Sequence, residues 1–156
     1  MKVETQQICD GRGTAVKLSS IERALSLACL APAREDREIT AGFASDVLSE
    51  VLGHAPQGCL LVTAQHNLNV IAVASYTDIA GIIVTSGYRP TEEVLARARE
   101  EGIALYSTPA QTFDVVGGLS RLGIQGPSKK QDDAREAGSP VGAGGPAAFE
   151  SGKLKD

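Results

Sequence analysis

The amino-acid sequence predicts a single α/β domain, a small layered structure with a parallel sheet and helices on both faces. Apolar runs of strand length alternate with amphipathic runs of helix length from about residue 16 to residue 124. The central strand-like runs are apolar without interruption, which is typical of strands covered on both sides. Hydrophobic residues make up 42% of the chain but aromatic residues only 4%, so the core must consist of small aliphatic side chains that suit such a sheet.

The first half of the domain contains two predicted helices and two predicted strands. Ser19 and Glu22 have the spacing of a capping box, which predicts the start of the first helix. Short apolar runs predict strands at residues 27–31 and 38–44. A helix over residues 46–55 follows, because a proline comes directly after it.

The second half repeats a regular order of strand and helix. Thr91 precedes two acidic residues that favour a helix start, and Gly102 suits the position just after a helix end. Thr108 and Gln111 have capping-box spacing with a proline between them, which predicts a further helix start. The predicted order is strand 59–63, helix 69–78, strand 81–85, helix 91–101, strand 103–107 and helix 108–122.

Composition divides the chain into three parts. Residues 1–15 form an N-terminal extension whose structure the sequence leaves undecided, and residues 16–124 form the domain. Residues 125–156 are rich in glycine and proline, and we expect this tail to be disordered or to dock onto a partner through residues 147–149 or Leu154. Its large apolar residues are Val141, Phe149 and Leu154.

Charge and cysteine content argue against several classes of function. The formal net charge of −4 and the lack of a dense Lys/Arg stripe argue against nucleic acid as a partner. Cys9, Cys29 and Cys59 are widely spaced, so we expect reduced thiols and neither a disulfide framework nor a metal site. The sequence has no signal-peptide pattern and no long apolar run, so we expect a cytoplasmic protein without membrane contact.

Polar residues gather in the turns that follow the last four of the five predicted strands, and we name this set the polar rim. In open parallel sheets, ligands bind outside the carboxyl ends of the strands, so the rim could hold a small anion or a nucleotide. The alternative is that these residues simply cap the following helices. The polar rim consists of Ser45, Asp46, Thr63, Gln65, His66, Asn67, Thr85, Ser86, Gly87, Ser107 and Thr108.

His66 is the rim residue best suited to carry a proton. Its only candidate partner in these turns is Asp46, and an aspartate at a helix start is more often a cap than a catalyst. No phosphate-binding loop occurs, and the glycines at residues 11–13 make an incomplete dinucleotide motif. The sequence therefore predicts no catalytic residue and no cofactor.

The segment 36–42, followed by residues 45–52, resembles the signature region of DRTGG domains, and the likeness extends over roughly residues 17–124. One departure is Ala41, which stands where the family has the first of two glycines, so a turn requiring positive φ there would disfavour alanine. The family signature is represented by Asp36, Arg37, Thr40 and Gly42.

The resemblance implies a fold like the N-terminal domain of HPr kinase, and a regulatory role. Such domains are inserts in phosphotransacetylases and in pyrophosphatases with cystathionine-β-synthase-type domains, and stand-alone members resemble accessory proteins of hydrogenase-related redox systems in anaerobes. We therefore expect a non-catalytic regulatory or assembly module that self-associates, as a homodimer, and binds a larger enzyme. One alternative is a sensor that binds an adenine nucleotide or acyl phosphate at the polar rim. The other is an enzyme that uses His66.

Overall fold

The computed structural model describes residues 14–127, and the predictions for residues 1–13 and 128–156 lie outside the described part of the chain. Within it, seven strands and five helices occur. They are β1 (Val16–Lys17), α1 (Leu18–Ala24), β2 (Ala28–Ala31), β3 (Glu38–Ile39), β4 (Gly42–Ala44), α2 (Leu48–His54), β5 (Leu60–Thr63), α3 (Leu68–Tyr76), β6 (Gly81–Val84), α4 (Glu92–Glu101), β7 (Ala104–Ser107) and α5 (Thr112–Arg121).

The main sheet has five strands in the order β2-β7-β6-β5-β4. Strands β4 to β7 are parallel and are joined through α2, α3 and α4, which confirms the predicted α/β fold class. The edge strand β2 differs, because it pairs antiparallel with β7. β2 and its neighbour β7 are far apart in the chain and are not consecutive strands joined by a single helix. The rule that strands joined by one helical crossover run parallel therefore does not apply to this pair.

The single strand predicted over residues 38–44 is wrong in detail, because the chain changes partners within it. β3 pairs antiparallel with β1, whereas β4 pairs parallel with β5. Ile39 is fully buried in the core. Ala41 lies between the two strands, forms an isolated bridge with Gln125, and is not among the residues with positive φ. Alanine is therefore compatible with this position, where the family has glycine.

Three helix starts differ from the sequence prediction. Ser19 lies inside α1, where its N–H and hydroxyl donate to the Asp36 carboxylate at 3.0 and 2.7 Å. Helix α2 begins at Leu48, so Asp46 is not its cap. Helix α5 begins four residues after Thr108, whose hydroxyl accepts a hydrogen bond from the Ala110 N–H at 3.2 Å. Ser19 and Asp46 thus bond to groups outside the helices that they were predicted to start, and Thr108 closes a local turn before α5.

Helices cover both faces of the sheet, as predicted. Residues of α2, α3 and α4 pack with Leu61, Ile82 and Leu105 on one face. Residues of α1 and α5 pack on the other face, with strand residues such as Leu60 and Ile83. Strands β5, β6 and β7 are buried along their whole length. In the described part of the chain, none of the helices has the length and apolar character needed to cross a membrane.

Candidate ligand site at the carboxyl ends of the strands

The four polar turns lie at one edge of the sheet. Thr63 is paired with Val84, and Val84 is paired with Ser107, so the turns after β5, β6 and β7 start side by side. Ala44, the last residue of β4, pairs with Val62 and brings the fourth turn to the same edge. The parallel arrangement therefore gathers the polar rim into one continuous surface, as the sequence predicts; whether that surface binds a ligand stays a prediction.

Thr63 and Asp46 form the centre of this surface. The buried Thr63 hydroxyl donates to Asp46 Oδ1 at 2.9 Å and accepts from the Gln65 N–H at 3.1 Å. The same Asp46 oxygen accepts from the Ala64 N–H at 2.7 Å. The Gln65 side chain donates to the Asp46 carbonyl at 3.1 Å. Asp46 thus ties the turn after β4 to the turn after β5, a role that the expected helix capping does not describe.

Asn67 does act as a helix cap. Its side-chain oxygen accepts from the N–H groups of Asn69 and Val70, at 3.0 and 3.4 Å, at the start of α3. Its side-chain nitrogen donates to the Gln65 side chain at 3.1 Å. Capping therefore explains the asparagine at position 67. Its side-chain nitrogen, which capping does not use, orients Gln65.

His66 stacks on Tyr88, a residue that the sequence analysis did not select. The ring centroids are 4.8 Å apart and the planes differ by 7°. His66 Nδ1 lies 3.0 Å from the Ala64 carbonyl oxygen, so Nδ1 must carry the proton that is donated. Asp46 is hydrogen-bonded to Thr63 and Ala64 rather than to His66, so the structure does not form the His66–Asp46 pair considered above. Tyr88 is 48% exposed, and the only sequence signal for it was its place directly after the rim residue Gly87.

The turn after β6 is fastened to the loop before α5. Ser86 and Gly87 both have positive φ, 63° and 74°. Their N–H groups donate to the carbonyls of Ala110 and Thr108, at 2.8 and 3.0 Å. The Thr85 and Thr112 hydroxyls lie 2.8 Å apart, and the Ser86 hydroxyl donates to the Gln111 side chain at 3.3 Å. The backbone donors of this turn are therefore already used.

The predicted rim residues differ in access to solvent. Thr63, Thr85, Ser107 and Thr108 are buried and support the surface from below. Asp46, Asn67 and Gly87 are exposed, as is the neighbouring Tyr88, and a third group of rim residues has intermediate exposure. The intermediate group consists of Ser45, Gln65, His66 and Ser86.

The signature residues lie at the opposite end of the sheet, near the amino ends of the parallel strands. Both Arg37 guanidinium nitrogens donate to the Asp78 carboxylate, at 3.1 and 3.2 Å, and the Gln57 amide donates to it at 3.1 Å. The hydrogen bonds from Arg37 chiefly hold the pKa of Asp78 below its usual value. Asp36, in turn, accepts from the Ser19 hydroxyl, which lowers the pKa of Asp36.

The other two signature residues are also remote from the polar rim. Thr40 is exposed between β3 and β4. Gly42 begins β4, pairs with Leu60, and has Ile124 Cγ2 only 3.4 Å from where a side-chain carbon would lie. The signature residues therefore form contacts near the starts of the parallel strands and with helix α1, and they do not contribute to the polar rim.

Other reactive groups in the described residues are held in their neutral forms. Burial raises the pKa of the Cys59 thiol to about 12 and also raises the pKa of Tyr106 to about 12. Burial raises the pKa of Cys29 as well. Within residues 14–127, no group of three or more His, Cys, Asp or Glu side chains is arranged to hold a metal ion. Cys9 lies outside the described residues.

Comparison with known proteins identifies the family. The DRTGG domain profile matches residues 25–122, more than half of the chain. A similar solved structure comprises the CBS and DRTGG domains of the regulatory region of Clostridium perfringens pyrophosphatase, complexed with its activator diadenosine tetraphosphate. The match has a TM-score of 0.59 and 16% sequence identity, and it covers 69% of this chain and 47% of that chain. No curated protein sequence matches. The chain therefore belongs to the DRTGG domain family.

Proposed function

We propose that this protein is a non-catalytic regulatory module that senses an adenine nucleotide at the polar rim. The observation that carries the proposal is the His66–Tyr88 stack, which presents a half-exposed aromatic ring at the edge where ligands of parallel sheets bind. The Clostridium perfringens regulatory region was solved with an adenine dinucleotide activator, which supports nucleotide as the ligand class.

The groups around the stack suit a nucleoside better than a small inorganic anion. A base can stack on an aromatic ring at a gain of about 1–3 kcal/mol. Asp46 and Gln65 supply an acceptor and an amide that can bind ribose hydroxyls or base edges. Arg89 follows Tyr88 directly and is exposed, so it supplies positive charge for a phosphate.

The same geometry disfavours an acyl phosphate as the principal ligand. Anion sites at strand ends use free backbone N–H groups. Here the N–H groups of Ser86 and Gly87 already donate to the carbonyls of Ala110 and Thr108. The Asn67 side chain likewise already accepts from the N–H groups of Asn69 and Val70 in the first turn of α3. The rim therefore favours recognition of a base over a phosphate cradle.

Calorimetric titration with ATP, AMP, diadenosine tetraphosphate and acetyl phosphate tests this proposal. We expect at least one adenine compound to bind, and Tyr88→Ala to weaken its binding about 5- to 150-fold, because one stacking contact is lost. Tyr76→Ala is the matched control, since Tyr76 is 83% exposed at the far end of α3. Absence of binding by every adenine compound, or an equal loss in the control, contradicts the proposal.

A second function, assembly, has its own observation. Phe113 on α5 is 87% exposed, which is unusual for so large an apolar side chain. We propose that this ring contacts a second copy of the chain or a larger enzyme; a hydrogenase-related redox partner rests on the family resemblance alone. Light scattering of wild type and Phe113→Ser tests self-association, and a monomeric wild type that recovers no partner on affinity purification contradicts assembly.

A further inference from the structure

An apolar groove lies between the outer edge of β4 and helix α5, and none of the residues that line it belongs to the polar rim. Its volume is about 470 Å³. The described residues that line it carry no charged side chain, and the last three of them, 125–127, form one wall. The apolar lining consists of Phe43, Ala44, Val62, Val116, Leu119 and Ile124.

Among the described residues, the segment 125–127 pairs with this edge of the sheet at one position only, Gln125. The Gly42 N–H donates to the Gln125 carbonyl at 2.8 Å, and Ala41 bridges Gln125 in parallel orientation. In a parallel ladder the next donor from this segment would be the residue at position 127. Pro127 has no N–H, so the pairing cannot continue in the same way. Among the described residues, the pairing of this segment with the sheet therefore ends beside the groove, and no strand pairs with the outer edge of β4 at Ala44.

We propose that residues 146–154 of this same chain occupy the groove, with the Phe149 ring in the apolar cavity. Phe149 is the only aromatic residue after Pro127, and two alanines precede it. Small residues allow close approach to the strand edge, while an aromatic ring supplies most of the apolar area that such a cavity can cover. Residues 146–149 of this segment are apolar and match the uncharged lining of the groove, and the charged residues Glu150 and Lys153 come only after them.

The position at which the described chain ends favours its own tail over a separate molecule. The residues after Pro127 begin at the groove wall, and roughly 70 Å of extended chain separates Pro127 from Phe149, so reach does not prevent its return. A tethered segment competes at an effective concentration on the order of millimolar. A free partner of similar affinity, including a second copy of the chain, would be displaced at ordinary protein concentrations.

The chain contains no tryptophan, so Phe149→Trp places a single fluorescent reporter in the full-length protein. We expect its emission to lie at shorter wavelength, and its quenching by acrylamide to be several-fold weaker, than for Asp133→Trp, the control in the same tail. Adding Val116→Asp, a charge in the groove at a residue that is 40% exposed, should return the emission to that of the control. Circular dichroism verifies that each variant is folded.

Three results would overturn the proposal. Emission equal to that of the Asp133→Trp control would show that Phe149 is not buried. A short-wavelength emission that survives Val116→Asp would place the ring elsewhere. An emission shift that appears only as protein concentration rises would assign the groove to a second copy of the chain.

Discussion

The two ends of the parallel strands are both polar, but they use their polar residues differently. At the amino end, Arg37 and Asp78 bind each other through two hydrogen bonds, and Asp36 is bound to Ser19. At the carboxyl end, buried hydroxyls hold the turns together while a ring pair remains half-exposed. Polar density alone therefore does not identify a ligand site; what distinguishes the carboxyl end is the half-exposed aromatic pair of His66 and Tyr88.

Backbone strain gives a second contrast between the ends. Asp78 at the amino end has φ of 53° and Ser86 at the carboxyl end has φ of 63°. Aspartate tolerates the left-handed region better than most residues, and the Asp78 side chain is held by Arg37 and Gln57. Serine tolerates the left-handed region less well than aspartate, so at Ser86 backbone strain lies within the proposed ligand site.

The largest effect on stability that we expect from this comparison comes from Thr63→Val. Valine has the same shape but removes a buried hydroxyl, which leaves Asp46 without one donor and the Gln65 N–H without its acceptor. We expect the free energy of unfolding to fall by about 1–2 kcal/mol in urea titrations. Thr40→Val, at the exposed amino end, is the control and should change it by less than about 0.5 kcal/mol. Equal effects would remove the distinction between the two ends.

An intermediate effect is expected at the turn after β6. Ser86→Gly relieves a left-handed backbone, but part of that gain is lost to the greater freedom of glycine in the unfolded chain and to the missing exposed hydrogen bond to Gln111, so we expect a net stabilisation of at most about 0.5 kcal/mol. Gly87→Ala, one residue on, should instead destabilise by about 1 kcal/mol or more. Thermal unfolding of both variants measures this, and a shift in the same direction for both would show that φ is not the cause.

A small effect that depends on pH should come from Arg37→Met at the amino end. The ion pair is partly exposed, with Asp78 51% accessible, so solvent screening limits the loss to below about 1 kcal/mol at neutral pH. Because Arg37 lowers the pKa of Asp78, its stabilisation is present above the ordinary value of about 3.9 and is lost as the pH falls through the lower folded value.

The difference between wild type and Arg37→Met should therefore disappear in strong acid, which urea titrations at neutral and acidic pH can measure. Arg121→Met provides the control for removing an exposed cation elsewhere in the molecule. A difference that persists unchanged in acid would mean that Arg37 stabilises the fold through packing and not through its charge.

Much of the fold was predictable from the sequence, but the local bonds of its turns were not. Strand and helix order follows from apolar periodicity, which reports burial directly. The capping predictions at Ser19 and Thr108 failed because each hydroxyl has another partner, the Asp36 carboxylate in one case and, in a turn before α5, the Ala110 N–H in the other. Asp46 failed as a cap for the same reason, since its partners come from the next strand.

The sequence by itself determined the alternation of strands and helices, the burial of β5 to β7 and the gathering of polar turns at one edge. These follow from patterns within single segments and from the rule that crossover-linked strands run parallel. Only the tertiary structure decided that β2 is antiparallel, that the signature lies at the end opposite the polar rim, and that Tyr88 stacks on His66. Such contacts join residues far apart in sequence, so no local pattern records them.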